Sequence, residues 1–223
     1  MRVAISMITD ASLLRLLAWL SPAFPTGAFA CSHGLEWAVD AGDIRDANTL
    51  REWLTDILCH GAGRSDCILL RHAHGAAREA TTLSELAELA AAVTPSRERL
   101  SETLGQGMAF LRAARAWGLP ILPDESPYPI AVGALAGWHS IDEDGTVAAY
   151  LQAFVSNLIS AAVRLVPLGQ SDGVQVLASL EPVILSIATD TRTASLEDIG
   201  SCAFRADLAA MHHETQATRL FRS

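Results

Sequence analysis

The chain has 223 residues, a formal net charge of -9 and a pI near 5.2, and all 16 of its basic residues are arginines. Its length favours one compact domain over residues 1–223. The acidic balance argues against nucleic acid as a partner, since neutralising phosphates requires clusters of basic residues. The absence of lysine excludes the phosphate loop of nucleotide hydrolases and Schiff-base chemistry.

Apolar residues recur three and four apart along most of the chain, and no stretch alternates convincingly as a strand does. A first helix ends by Ser21, because the residue before Pro22 is disfavoured in the α conformation. A second helix begins near Ala28 and ends at Gly42. The sequence therefore predicts an all-α, single-domain bundle of roughly nine or ten helices. Later helices are expected near 48–60, 66–79, 82–93, 96–118, 129–139, 147–166 and after 172, with a further one early in 201–223.

Two of these predicted helices carry specific expectations. In the second helix, Ser32, Glu36 and Asp40 lie four residues apart and are expected to form one polar, exposed face. In the helix that follows Ser96, Gly105 and Gly107 each cost about 1 kcal/mol relative to alanine. We therefore expect a neighbouring element to pack closely against both glycines.

Residues 147–166 raise the question of a membrane span, because the run is apolar and about long enough. Four polar side chains along it and Pro167 directly after it favour a buried helix instead, so no membrane association is predicted. In the next helix, Asp172 and Gln175 form a capping pair, and Pro182 is expected to kink or break it.

The composition bears on cellular location and on partners. Four cysteines without a Cys-x-x-Cys pair are typical of free thiols in a reducing cytoplasm. A signal peptide is not expected, because Asp10 and Arg15 interrupt the apolar stretch near the start. Charged residues make up 18% of the chain, below the roughly 25% that is usual. Either abundant alanine explains this figure, or other proteins cover part of the surface.

The residue types that carry catalysis do not fall into catalytic patterns. His72 and His74 are two apart and point to opposite sides of a helix, whereas metal ligands on a helix sit three or four apart. Asp56 and His60 have that spacing, but such a lone pair is more often a salt bridge. No nucleophile motif is present, so neither catalytic residues nor a cofactor are predicted. A metal site built from distant segments or between chains stays open.

Residues 201–223 are unusual for the end of a sequence. Chain ends normally turn polar and fray, whereas this one keeps large apolar residues and arginines, the types enriched at interface hot spots. Either the segment packs on its own core, or it orders in a groove of a partner.

Three stretches resemble the signatures of the UreF family of urease accessory proteins. They are SPAFPTGAFACSHGLEWAV in the first motif, VPLGQSDG at 166–173 in the second, and MHHETQATRLFRS at 211–223 in the last. Two departures are visible: the first motif has Ala30-Cys31-Ser32 where Ser-Tyr-Ser is usual, and His212 stands where arginine is usual. The resemblance covers essentially the whole chain.

The resemblance implies an all-helical, non-catalytic protein that assembles with the UreD (UreH) and UreG accessory proteins on apo-urease. The complex helps to deliver nickel to the urease active site, UreG supplies the GTPase, and UreF-like proteins form dimers. It further implies that 201–223 is a partner-binding tail. The motif residues that would face partners are Phe29, Ser32, His33, Glu36 and Trp37 from the first motif, Gly169, Gln170, Ser171 and Asp172 from the second, and Met211, His213, Glu214, Thr215, Gln216, Arg219, Leu220, Phe221 and Arg222 from the last.

Three other functions remain open on the sequence. The chain could regulate GTP hydrolysis by supplying an arginine to UreG, with Arg205, Arg219 or Arg222 as candidates. It could be a metalloenzyme that uses scattered histidine, cysteine and glutamate side chains, or a helical scaffold unrelated to urease.

Overall fold

The computed structural model describes residues 9–223, and the first eight residues of the predicted domain lie outside that range. The described residues form ten α-helices, joined by loops and short 3-10 turns, and contain no strand. The prediction of an all-α bundle of roughly nine or ten helices is therefore confirmed. The helices are α1 (Asp10–Trp19), α2 (Leu35–Asp40), α3 (Ala47–His60), α4 (Ala62–Gly75), α5 (Ala80–Ala92), α6 (Arg97–Ala114), α7 (Tyr128–Trp138), α8 (Glu143–Leu165), α9 (Gln170–Asp190) and α10 (Phe204–His213).

The core is built around two apolar helices. In α7, every residue from 129 to 136 is buried, as expected for a helix that is apolar on all sides. α8 packs against α9, α4 and α2, and its buried residues belong to the larger of two apolar clusters. The smaller cluster lies where α5 packs against α4 and α7.

Two described helices, α8 and α9, are long and apolar enough to cross a membrane by length and composition alone. Within α8, Val147, Leu151 and Val155 are completely buried among other helices of the protein. The prediction of a buried core helix at 147–166 is thus confirmed. α9 buries one face, which includes Leu180 and Ile184, and leaves the opposite face exposed.

Several helix boundaries follow the expected local chemistry. The Ser96 side chain accepts a hydrogen bond from the Arg99 amide at 3.2 Å, which caps α6 as the sequence suggests. Gly42 has a φ of +78°, and the chain leaves α2 just before it. The first helix ends before Ser21, also as predicted.

Other boundary predictions are wrong. The sequence offers Asp10 or Ser12 as the cap of the first helix, but α1 begins at Asp10 and is capped by Thr9. α9 begins at Gln170 and not after Asp172, so Asp172 lies in its first turn. The Asp172 carboxylate accepts a hydrogen bond from the Gly169 amide at 2.9 Å.

The fourth helix and the proline in α9 also differ from expectation. α4 begins at Ala62, directly after Gly61, and not at Asp66. α9 runs through Pro182 without interruption. Proline removes the hydrogen bond to the carbonyl of Ala178, but both residues lie on the exposed face, where water can satisfy that carbonyl.

The continuous helix predicted from Ala28 to Gly42 is also wrong. A 3-10 turn covers Ala28–Ala30, Cys31 is extended, and α2 begins only at Leu35. His33 and Gly34 have positive φ values of 62° and 75° and break the helix between these parts. α10 packs so closely here that a Cβ atom on Gly34 would lie 2.5 Å from the Ala210 amide nitrogen. The break therefore leaves room for α10 to pack directly against Gly34.

The two glycines of α6 have different surroundings. A Cβ atom on Gly107 would lie within van der Waals distance of the Ser126 carbonyl oxygen, so the loop before α7 rests directly on this position. Gly105 has no heavy atom within 4 Å of the same point. The expectation of close packing is confirmed for Gly107 and wrong for Gly105.

This difference yields a matched pair of stability predictions. Gly107→Ala forces the Ser126 backbone away and should lower the free energy of unfolding by about 1–3 kcal/mol. Gly105→Ala should raise it by about 0.5–1 kcal/mol, because alanine restricts the unfolded chain and fits the helix. Urea denaturation of the two variants measures both changes. Equal effects of the two substitutions would contradict the packing described.

Candidate partner interface

The first and last motifs meet at one place on the surface. We call residues 214–223 the final segment; it lies across the turn that connects Ala28 to α2. The Arg222 amide donates to the Ala30 carbonyl at 2.8 Å. The Ser32 amide and hydroxyl both donate to the Ser223 carbonyl oxygen, each at 2.5 Å. Residues almost two hundred positions apart are thus joined through their backbones.

The carboxylate of Glu36 is the main acceptor for the final segment. It accepts the amide of Leu220 on Oε1 at 2.6 Å and the amide of Phe221 on Oε2 at 2.9 Å. Glu36 is only 7% exposed. A buried carboxylate is costly unless donors surround it, and the backbone of the final segment provides these donors.

The end of α10 is held by a second carboxylate. Glu98 contacts Nδ1 of His213 at 2.6 Å and accepts a hydrogen bond from Arg219 at 2.6 Å. The other ring nitrogen of His213 lies 3.3 Å from Glu36. His213 is completely buried, so it connects the two carboxylates inside the protein.

Aromatic side chains complete the contact between the motifs. The guanidinium of Arg164 lies between the rings of Phe29 and Phe221, 4.3 Å from each centroid. Such cation–π contacts contribute about 0.5–1 kcal/mol each at exposed sites. Trp37 stacks on His212 with the ring centroids 4.7 Å apart.

A buried polar cluster lies beneath this contact. Glu102 pairs with Arg99 at 2.5 Å and accepts a hydrogen bond from the Ser223 hydroxyl at 2.6 Å. Burial alone would raise the pKa of Glu102, but Arg99 and the neighbouring His33 outweigh it and hold this pKa well below its usual range.

His33 lies in the same cluster, and both its backbone conformation and its pKa are unusual. Its φ of 62° places a residue other than glycine in the left-handed region, which costs of order 1 kcal/mol or more. Burial, together with the positive charge of Arg99, lowers the pKa of His33 to about 4. The side chain is therefore neutral at pH 7.

A cavity of about 310 Å³ adjoins this cluster, between residues 20–29 and helices α6 and α8. Asp66 lies in its wall and accepts a hydrogen bond from the Tyr150 hydroxyl at 2.7 Å. Burial raises the pKa of Asp66 to about 6, against the opposing effect of that hydrogen bond.

The surface placement predicted for three residues of the first motif is wrong. All three of Ser32, His33 and Glu36 are buried. The final segment covers Ser32 and Glu36, whereas His33 packs against Phe154 and Glu102. Asp40 is exposed, and the predicted polar face therefore does not exist as a unit. The role of these residues in partner binding stays a prediction.

Residues of the last motif divide between the interior and the surface. Phe221 and His213 are buried, so the packing of this segment on its own core, one of the two alternatives, is what the structure shows. Trp37, Glu214 and Gln216 are half-buried. The predicted residues of the first and last motifs that remain largely exposed are Phe29, Met211, Thr215, Arg219, Leu220 and Arg222.

The second motif forms a separate structure. The start of α9 consists of Gly169, Gln170, Ser171 and Asp172. The hydrogen bonds of Gly169 and Asp172 join residues within this turn. The connection to the first and last motifs runs instead through Arg164, which lies just before the second motif.

Sequence reasoning missed the residues that hold the final segment from beneath. Arg99 and Glu102 are spaced as an i, i+3 pair on α6, and Arg164 is the only charge in an apolar run. Both patterns are visible in the sequence, but neither indicates which distant segment the side chain meets. In the part of the chain that the structure describes, no group of three or more histidine, cysteine or acidic side chains is arranged to hold a metal ion.

Comparison with known proteins identifies relatives over nearly the full length. The UreF family model matches residues 44–181. A protein named "Urease accessory protein UreF" from Rhodopseudomonas palustris (strain BisB5) is 53% identical over 96% of this chain and 92% of its own length. Proteins with the same name from Bradyrhizobium sp. (strain BTAi1 / ATCC BAA-1182) and Methylorubrum populi (strain ATCC BAA-705 / NCIMB 13946 / BJ001) are 52% and 51% identical, covering 99% and 94% of this chain and 95% and 98% of their own.

The pKa of His33 leads to a testable dependence of stability on pH. The unfolded histidine, with a pKa of 6.5, binds more protons than the folded one between pH 6.5 and about 4. The contribution of His33 to the free energy of unfolding therefore falls as the pH is lowered through this window, by up to about 3 kcal/mol. Asp66 contributes in the opposite sense, because its folded pKa is raised from 3.8 to about 6.

The variant His33→Asn isolates the histidine, since asparagine tolerates a positive φ and does not titrate. Urea denaturation at several values between pH 4.5 and 7.5 should show the wild type gaining stability relative to the variant as the pH rises. His60→Asn, at an exposed histidine, is the matched control for the substitution itself, and its pH profile is compared with that of His33→Asn. A constant difference between wild type and His33→Asn would contradict a buried, neutral His33.

Proposed function

The chain belongs to the UreF family, and on that premise we propose that it is a urease accessory protein that acts during assembly of the nickel site. We propose that it works with UreD (UreH) and UreG on apo-urease, as a cytoplasmic homodimer and without catalysing a reaction itself. The observation that carries the proposal is the shared name of relatives about half identical over almost the whole chain. Nickel is the cargo of this assembly.

The structure supports a role as a binding platform. Phe29 is 68% exposed, and Leu220 is 56% exposed although it stands beside buried Phe221. The exposed Arg222 forms no ion pair with any residue in the described range 9–223. Aromatic, aliphatic and arginine side chains together are the composition of interface hot spots.

A second candidate function is regulation of GTP hydrolysis by an arginine supplied to UreG. The structure distinguishes the three arginines considered for this role. Arg205 is held by Asp43 with contacts of 2.6 and 2.9 Å, and Arg219 is held by Glu98 at 2.6 Å. The exposed Arg222 is the one whose guanidinium is unpaired among the described residues, which favours it as the supplied group.

The binding role predicts the effect of changing the exposed surface. The double variant Leu220→Asp with Arg222→Glu should reduce co-purification with UreD and UreG by about tenfold or more, because it replaces an apolar contact residue with a carboxylate and reverses the charge of the arginine. Ile121→Asp is the matched control, since Ile121 is 78% exposed on the loop before α7. Unchanged assembly and unchanged urease activation in the double variant would reject this surface.

The regulatory role predicts a different readout. Arg222→Ala should slow GTP turnover by UreG in the presence of the protein by about 10³-fold or more if the arginine stabilises the transition state. Arg219→Ala should leave the turnover rate close to that of the wild type. Equal turnover with and without the wild-type protein would exclude regulation and leave the binding role.

A further inference from the structure

Burial alternates along the last four residues of the final segment. Leu220 is 56% exposed and Phe221 is 4% exposed, Arg222 is exposed, and Ser223 is 3% exposed. If the path of the backbone were kept, a shift of this stretch by one residue along the surface would exchange the two sets. It would expose Phe221 and Ser223 and turn Leu220 and Arg222 inward. By register we mean which residue of the stretch lies at which position on the surface beneath it. The contact that fixes this register therefore decides which side chains a partner meets.

Glu36 is placed to fix that register. Its two oxygens accept two consecutive amides, those of Leu220 and Phe221. An ionised carboxylate is an acceptor only, and the side chain is itself held in position by contact with buried His213. The Glu36 amide also donates to the Ser32 hydroxyl at 3.3 Å, which ties this acceptor to the turn before α2.

The remaining contacts agree with the same register. The Arg222 amide meets the Ala30 carbonyl, and the Ser223 carbonyl meets Ser32. Ala217 and Thr218 lie exposed in the loop between α10 and this stretch, with Gln216 bound to Asp40 on one side and Arg219 bound to Glu98 on the other. Among the contacts of the stretch, those of Glu36 are made to the backbone amides of Leu220 and Phe221, the pair at which burial alternates.

We propose that Glu36 is a positioning residue that sets the register of residues 219–223 and thereby turns Leu220 and Arg222 toward a partner. The partner that fits is a protein surface with an apolar hollow for Leu220 and a carboxylate for Arg222. This inference rests on the proposed binding function, and it makes a buried side chain of the first motif responsible for a surface that the last motif displays.

The first experiment uses Glu36→Gln in the full chain. Glutamine keeps the size of the side chain but replaces one acceptor oxygen with a donor, so at least one of the two amides loses its partner. Hydrogen exchange resolved by residue with NMR should show the Leu220 or Phe221 amide exchanging about tenfold faster or more. Asp40→Asn is the control, because exposed Asp40 contacts the same segment through Gln216 at 2.9 Å. Wild-type exchange at both amides of Glu36→Gln would overturn the proposal.

A second variant tests the register while Glu36 is kept. One glycine is inserted between Ala217 and Thr218, where the exposed loop can absorb it. If Glu36 sets the register, the two protected amides remain those of the original Leu220 and Phe221, and co-purification with UreD and UreG is retained. If α10 sets it, protection moves to neighbouring residues, and the proposal fails.

The binding measurement separates this inference from the proposed function. Glu36→Gln should weaken co-purification to about the level of the Leu220→Asp, Arg222→Glu double variant. Full binding by Glu36→Gln, alongside weak binding by the double variant, would overturn the positioning role and leave the surface in place. Full binding by the double variant would reject the proposed surface, whereas the exchange data on Glu36 would stand by themselves.

Discussion

One buried carboxylate determines how the final segment lies against the turn before α2. Glu36 lies out of contact with bulk water, and an unpaired anion in that position is strongly unfavourable. The nearest donors are two backbone amides of the final segment. Folding the segment onto α2 therefore satisfies the carboxylate, and the carboxylate in turn gives the segment a defined path.

The surrounding charges follow from the same constraint. Glu98 and Glu102, both on α6, approach the segment from beneath. Arg99 pairs with Glu102, Arg219 pairs with Glu98, and His213 contacts Glu98 through Nδ1. These contacts engage the carboxylates of Glu36, Glu98 and Glu102 within the protein. Leu220 and Arg222 remain exposed beside them, and both residue types occur in the cores of protein interfaces.

The helical architecture was predictable from the sequence, because the apolar period, the capping residues and the prolines act over a few residues. Ser96 and Gly42 are examples of such local signals. The failures come from contacts between distant residues. The break at His33 and Gly34 depends on how closely α10 approaches, and the burial of Glu36 depends on the final segment. The apolar period within one helix predicts neither of these two contacts.

The candidate site shows the same division. The three motifs indicate which stretches matter, and the abundance of apolar residues and arginine in the last one points to contact with a protein. Which residues of those stretches face outward is decided by the fold. Phe221 and Leu220 are adjacent and both apolar, yet only the ring is buried, where it meets the guanidinium of Arg164.

The bonds between Ser32 and Ser223 also bear on biosynthesis. A ribosome synthesises Ser32 almost two hundred residues before it synthesises Ser223, which Ser32 binds. The helices between them in the sequence are made before residues 214–223 are complete. A nascent or prematurely terminated polypeptide therefore carries Ser32 and Glu36 without the final segment that covers them, and it lacks Leu220 and Arg222.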